Sequence, residues 1–322
     1  MRRWRADGTL WAVKYVLIAA VVALVLPAAA FAWDGTYPTG DAAGTSIHIV
    51  VSDTYPVDQA LPQSWATYFG SIPHGPELSS LTLSLMPLAA LESRKYCGSA
   101  ALACYDPTND TMYAAPDDQL DEPPAMEIAT HEYGHHIANS RSNAPWVAED
   151  YGTKRWSSYE NICARAAAGT ASPGDEGLAY SQNPGEAFAE SYRVLALTDL
   201  GLTPSSWDIV DQSFYPDATA LQLLQEDITS PWTGPTVHHV HGSFGNGATR
   251  TIAVQSTLDG TFLARLQAPS QARLKLELYS GSTLVARGKT SVRFEICGQR
   301  TLTLKVRRLS GHGAFTVDVS KP

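Results

Sequence analysis

The segment His131-Glu132-Tyr133-Gly134-His135 is the feature that most constrains how this chain can fold. Its two histidines are four residues apart, which is the spacing of an α-helix. Residues four positions apart lie on one face of an α-helix, so both imidazole rings can reach one metal ion. Imidazole is a good ligand for zinc, and the intervening glutamate can take a proton from a water molecule that the metal activates. The pattern therefore predicts a helix with two metal ligands and a general base.

The surrounding sequence favours that helix. Pro123 and Pro124 suit its first turn, and the helical pattern continues to about Asn139. A metzincin would carry glycine and histidine where this chain has Ala138 and Arg141, so that class of zinc peptidase is excluded. The alternative reading of the segment is a pair of surface histidines.

A zinc ion held by two histidines still needs another protein ligand, and a second helix supplies a candidate. Asn183 is a good N-cap and Pro184 a good first residue for a helix that continues to about Leu197. Glu186 and Glu190 share one face of this helix, and the three residues between them are apolar. A buried pair of carboxylates needs a cation, so Glu186 is predicted to bind the metal. The alternatives are a solvated acidic stripe and a capping-box role for Glu186.

Together, HEYGH at 131–135 and NPGEAFAESY at 183–192 resemble the gluzincin metallopeptidases. The resemblance implies a zincin-like α+β fold and one Zn²⁺ per chain, held by His131, His135 and Glu186. It also implies that Glu190 hydrogen-bonds a zinc-bound histidine. The second helix is similar to the lethal-factor type, in which a tyrosine lies a few residues before the glutamate ligand. That role maps to Tyr180, although the spacing differs from the family pattern.

The resemblance implies a secreted zinc metalloendopeptidase with Glu132 as the general base. Tyr180 would stabilise the oxyanion or protonate the leaving amine, with Tyr192 as the alternative tyrosine. In zincins the strand before the active-site helix pairs with the substrate, so Thr111–Ala114 is expected to bind an extended peptide or protein. Two other functions stay open: a non-catalytic exported zinc-binding or adhesion protein, and a zinc hydrolase of cell-wall amide bonds.

Residues 1–32 have the pattern of an export signal. Basic residues precede the apolar run Tyr15–Leu26, and Ala30-Phe31-Ala32 offers a small-x-small cleavage site. We expect a cleaved signal, a secreted protein and no other membrane segment. The alternative is an uncleaved anchor, since the stretch from Tyr15 to Trp33 carries no charge and is just long enough to span a bilayer.

The chain contains four cysteines, and an even number in an exported protein favours disulfides. Cys97 and Cys104 enclose a short loop of small residues and are predicted to pair. Cys163 and Cys297 would then either pair with each other or both stay free. Zinc binding by cysteines is disfavoured because no second close pair exists.

The sequence divides into a metallopeptidase domain at 33–228, a linker at 229–238 rich in proline and glycine, and a β domain at 239–322. Short runs of Leu, Val and Thr at regular spacing predict an all-β antiparallel sandwich in the last part. Pieces such as Leu276–Tyr279 and Gly311–Val317 resemble the pre-peptidase C-terminal domains of secreted bacterial proteases. That likeness implies a role in secretion, targeting or adhesion, with a plain structural domain as the alternative.

The remaining polar groups are predicted to lie at the surface. His238, His239 and His241 are interpreted as solvated rather than metal-binding, and the pairs Glu149-Asp150 and Asp175-Glu176 as surface acids. Residues 33–46 are rich in glycine, threonine and aspartate and are expected to form a loop. The net charge of −9 argues against binding to nucleic acid. The sequence does not indicate an oligomeric state.

Overall fold

A mixed five-stranded sheet underlies the N-terminal half of the computed structural model, which describes residues 32–116, 123–244 and 247–322. In spatial order β1-β2-β3-β5-β4, the strands are β1 (Trp33–Pro38), β2 (Ser46–Val51), β3 (Thr82–Leu85), β4 (Ala103–Asp106) and β5 (Thr111–Ala114). The three central strands are parallel, whereas β1 and β4 are antiparallel to their neighbours. The predicted export signal, except for Ala32, lies outside the described residues.

Alternation of side chains explains how this sheet is buried. In β2, the residues Ile47, Ile49 and Val51 face the core, and the half-buried residues between them, His48 and Val50, face the other side. Residues 33–46, expected to be a loop, instead begin with β1, which pairs along the whole of β2. The prediction was wrong because the pairing partner, not the local composition, decides whether such a segment is a strand.

Eight helices complete this half of the chain among the described residues: α1 (Ala60–Ser71), α2 (Leu88–Leu91), α3 (Ala125–Asn139), α4 (Ala148–Tyr151), α5 (Lys154–Tyr159), α6 (Ile162–Ala167), α7 (Pro184–Asp199) and α8 (Ala218–Thr229). Helix α3 begins directly after Pro124 and ends at Asn139, as predicted. Asn161 separates α5 from α6, because its positive φ of 54° interrupts the helical backbone.

Helix α7 runs through the core. Asn183 caps it by accepting a hydrogen bond from the backbone N–H of Gly185, and Pro184 opens its first turn. All residues from Pro184 to Leu197 are buried, so polar side chains on this helix must find partners inside the protein. Around it the core contains large side chains that are almost entirely hidden from solvent, among them Trp65, Phe69, Leu78, Tyr133 and Phe188.

Two antiparallel four-stranded sheets form the C-terminal part, which makes the fold α+β. In chain order the strands are β6 (Thr236–Ser243), β7 (Thr249–Gln255), β8 (Gly260–Gln267), β9 (Arg273–Ser280), β10 (Thr283–Gly288), β11 (Ser291–Ile296), β12 (Thr301–Ser310) and β13 (Ala314–Lys321). One sheet has the order β10-β9-β12-β7 and the other β11-β8-β13-β6. Both contribute to one apolar cluster, separate from that of the N-terminal half. The predicted linker overlaps the start of β6.

Covalent and polar contacts join the two parts. A disulfide links Cys163 on α6 to Cys297 after β11, and a second links Cys97 to Cys104. The buried ammonium of Lys154 donates to the carbonyl oxygen of Asp259 at 3.0 Å, so α5 is held against the turn before β8. Within the described ranges, the helices are too short or too polar to cross a bilayer.

Candidate metal site

Helices α3 and α7 approach each other backbone to backbone. A Cβ atom placed on Gly134 would lie 2.7 Å from the Cα atom of Ala189, closer than such atoms come in real structures. Only glycine allows this approach, because any larger residue would push the helices apart. The contact sets the two faces that carry His131, His135 and Glu186 against each other.

The three predicted ligands converge at this crossing. Atom Nε2 of His131 lies 3.0 Å from Oε2 of Glu186, and Nε2 of His135 lies 3.5 Å from Oε1 of the same carboxylate. One donor atom from each residue falls within 4.8 Å of the others. Within the described part of the chain, no other such group of histidine, cysteine or acidic residues comes this close. Two imidazoles and a carboxylate suit a zinc site that keeps one position open.

Behind His131 lies a buried ionic network. Atom Nδ1 of His131 is 3.8 Å from Oε2 of Glu190, too far for a hydrogen bond. Arg193 holds that carboxylate from the other side, donating from Nε at 2.9 Å and from Nη2 at 2.7 Å. Its Nη1 donates to Glu127 on α3 at 2.5 Å, so one fully buried guanidinium connects both helices. The second helix therefore carries the predicted ligand Glu186, its neighbouring carboxylate Glu190 and their counter-ion Arg193.

Trp207 covers this network. Its ring packs edge-on against the ring of His131, with 5.3 Å between centroids, and the guanidinium of Arg193 lies 5.6 Å from its centroid. The segment that carries Trp207 is anchored where Ser205 donates its backbone N–H to Glu127 at 3.1 Å. The sequence patterns did not point to these residues, because they depend on contacts between distant segments.

The structure distinguishes between the two candidate tyrosines. The hydroxyl of Tyr180, in a short 3₁₀ turn before α7, donates to Oε2 of Glu186 at 2.5 Å. Tyr192 is fully buried, and its hydroxyl donates to the carbonyl oxygen of Pro73. Tyr180 is therefore the tyrosine that lies beside the predicted ligands.

Burial and opposite charges act against each other on the ligands. Burial alone would lower the pKa of His131, but its contacts with Glu186 and Glu190 raise that pKa to about 10. Burial would raise the pKa of Glu186, but the two histidines hold it far below the usual range. Glu186 thus lies between the rings of His131 and His135. A metal ion bound here would displace protons from these rings.

Glu132 points into a cavity of about 390 Å³ next to the ligands. His135, Glu186 and Tyr180 line the same cavity. Burial raises the pKa of Glu132, and the two neighbouring histidines oppose that change. A raised pKa makes this carboxylate a stronger base than an exposed glutamate, which suits a group that takes up a proton.

One wall of the cavity is formed by Ala103, Cys104 and Tyr105 of β4. This strand lies at the end of the sheet, so one of its backbone edges faces no other described strand. The expected substrate-pairing strand, Thr111–Ala114, is β5, which is hydrogen-bonded on both sides by β3 and β4. The prediction was wrong because β4, which the sequence did not reveal, takes the place at the edge.

Two carboxylates that were interpreted as surface acids also line this cavity. Glu149 comes from α4, whose backbone packs against Gly185 at the start of α7, and Glu176 comes from the loop before Tyr180. Asn183 donates to Oε1 of Glu176 at 2.9 Å. The sequence did not predict this placement, because the pairs Glu149-Asp150 and Asp175-Glu176 have the pattern of solvated surface acids.

The histidines after α8 lie away from this site. They are on strand β6 rather than in a linker loop, and their ring atoms contact the neighbouring strand β13. Nδ1 of His239 lies 2.6 Å from Oδ1 of Asp318, and Nδ1 of His241 lies 3.1 Å from the hydroxyl of Thr316. Both are exposed.

Comparisons with known proteins identify no family for this chain. No protein-family model matches it, and no curated protein matches it. Among solved structures, it is similar to PliG, a periplasmic inhibitor of g-type lysozyme from Aeromonas hydrophila, with 10% identity over 28% of this chain and 90% of that one. The TM-score of 0.24 supports no argument about fold or function.

Proposed function

We propose that this chain is a zinc-dependent metalloendopeptidase with a zincin-like catalytic part. The observation that carries the proposal is the convergence of His131, His135 and Glu186 beside a cavity into which Glu132 points. A structural zinc site needs no free carboxylate beside it, whereas hydrolysis needs a general base. This favours an enzyme over a non-catalytic zinc-binding protein.

The chain's own residues have distinct roles in this proposal. A zinc ion held by the three ligands would lower the pKa of water and polarise a carbonyl group. Glu132 would accept the proton of the attacking water and deliver it to the departing nitrogen. Tyr180, whose pKa is raised first by burial and then by the charge of Glu186, stays protonated and can donate to a developing oxyanion. Glu190 and Arg193 would keep His131 in place.

Peptide substrates fit the edge of the sheet. Residues 103–105 of β4 line the cavity, and an extended chain can pair with the free edge of such a strand through its backbone. This pairing would hold a scissile bond near Glu132 and leave side-chain selection to the other residues that line the cavity. The same geometry does not exclude a cell-wall amide, which is therefore an outcome of the test below.

The two disulfides and the signal pattern support export of the protein, since disulfides persist in oxidising compartments. For the C-terminal sheets we propose the targeting or adhesion role that their pre-peptidase-like pattern implies.

The first experiment measures metal content and hydrolysis on the exported protein. We expect about one zinc per chain, loss of zinc in Glu186→Ala, and zinc-replete but inactive Glu132→Gln in a casein digest. Glu295→Gln, which removes one carboxylate on β11, is the matched control. Cleavage of peptidoglycan but not casein would identify an amidase instead. Bound zinc without hydrolysis of casein or of peptidoglycan would support the alternative function, an exported zinc-binding protein.

A further inference from the structure

The charges that line the cavity do not balance. A zinc ion would bring two positive charges, which the carboxylates of Glu186 and Glu132 offset. Glu149 and Glu176 remain as negative charges beyond that balance. Of the described residues that line the cavity, none is a lysine or an arginine.

Of the two carboxylates, Glu149 is the one without a hydrogen-bond donor or counter-ion among the described residues. It is half-buried, and no described residue donates a hydrogen bond to its carboxylate or forms an ion pair with it. Burial raises its pKa, and the charges of Asp150 and Asp106 act in the same direction against the opposing effect of His135. A half-buried carboxylate without a counter-ion is unfavourable until a cation arrives.

Glu176 lies in the same cavity and has one oxygen committed. Its Oε1 accepts from Asn183, which also caps α7, so the side chain is fixed toward the site. Its other oxygen accepts no hydrogen bond from the described residues, so it can accept one from a ligand.

The position of these carboxylates relates them to the substrate. They line the same cavity as residues 103–105 of β4, His135 and Glu186. A peptide paired with β4 would project alternate side chains out of the plane of the sheet, and one of them can then approach Glu149 and Glu176. A long cationic side chain can reach a carboxylate there and form a charge-assisted hydrogen bond.

We infer that this cavity selects peptides with a lysine or arginine beside the scissile bond, held by Glu149 and Glu176; the inference rests on the proposed peptidase function. The specificity is then set by charge, since an apolar side chain of equal length would leave both carboxylates without a cation.

The test compares two peptides that differ only in arginine or norleucine at the position that mass spectrometry of casein fragments identifies. Norleucine keeps the length of the side chain and removes the charge. We expect kcat/KM to favour arginine by about tenfold or more in the wild-type protein. The preference should fall to about twofold or less in Glu149→Gln/Glu176→Gln. The control Glu92→Gln/Glu295→Gln removes the same charge from exposed sites away from the cavity and should keep the wild-type preference.

Equal rates for both peptides, or an arginine preference that survives in the double variant, would overturn the inference and leave the peptidase function intact. If casein is not cleaved, the two peptides carry arginine or norleucine at the centre of an otherwise alanine sequence, and calorimetric binding of these peptides decides. Weaker binding of the arginine peptide to the double variant, by about tenfold, would support the inference even though the peptidase function had failed. Equal binding to the double variant and the control would overturn it.

Discussion

Gly134 lies against the backbone of Ala189, and this contact places the two histidines of the proposed metal site opposite a glutamate on another helix. The glycine sits inside the HEYGH segment, so the motif carries both the ligands and the space that brings their partner near. A side chain at this position would meet main-chain atoms, which cannot move aside as a flexible side chain can.

The first prediction concerns that contact. Gly134→Ala would force a Cβ atom to within 2.7 Å of Ala189. Although alanine favours helix formation, overpacking against a backbone should lower the free energy of unfolding by about 2 kcal/mol and weaken zinc binding. Urea denaturation and a chelator competition measure the two effects. Gly247→Ala, where the added Cβ atom meets nothing within 4 Å, is the control. An unchanged zinc affinity in Gly134→Ala would contradict the argument.

The second prediction concerns the carboxylate behind His131. Glu190→Gln keeps the shape of the side chain but removes the charge that faces both His131 and Arg193. We expect zinc affinity to fall by about 10- to 100-fold, measured by competition with a chelator. Glu277→Gln is the control, because this buried carboxylate pairs with Lys275 in the C-terminal sheets. Equal losses in both variants would show that general destabilisation, not support of the ligand, is responsible.

The third prediction is a pH dependence of zinc binding. The pKa of His131 is raised to about 10, so this ring carries a proton at neutral pH, and the pKa of His135 is raised in the same direction by the charge of Glu186 against the effect of burial. Zinc binds the neutral ring, so binding releases protons and becomes tighter as pH rises. Between pH 6.5 and 8.5 the affinity should increase by about tenfold per pH unit for each proton released. His74→Gln, a change outside the site, should keep this slope, and a flat profile would refute the prediction.

The fourth prediction is a pH dependence of stability that arises far from the metal site. Burial raises the pKa of Glu160 to about 7 from its usual 4.5, despite the opposing charge of Arg165. The folded state therefore binds more protons than the unfolded state between these values, and the free energy of unfolding falls as pH rises through them. We expect a loss of about 2 kcal/mol from pH 5 to 7.5. Urea denaturation should show that Glu160→Gln removes this loss, whereas the exposed control Glu295→Gln keeps it.

Local patterns predicted the two helices of the site because their signals are local. Pro124 precedes α3, Asn183 caps α7, and the spacing of His131 and His135 depends only on helix geometry. The convergence of Glu186 on the histidines was also expected, because a buried acid on an apolar helix needs a cation.

The walls of the cavity could not be predicted in the same way. Strand β4 consists of four residues that contain no strong strand signal, and its place at the sheet edge depends on pairing with β5. Glu149 and Glu176 each stand beside a second acid along the sequence, and they reach the cavity only because α4 and the following loop pack against the start of α7. Arg193 was missed because its partners, Glu127 and Glu190, come from two helices.

The disulfide between Cys163 and Cys297 spans most of the connection from the helices to the C-terminal sheets. A single nick by a protease anywhere between these cysteines, including the stretch between α8 and β6, would leave two fragments still tethered. The nicked protein would migrate as one band on a gel until a reducing agent was added. A host or partner protease therefore cannot shed the C-terminal sheets by one cut in that connection.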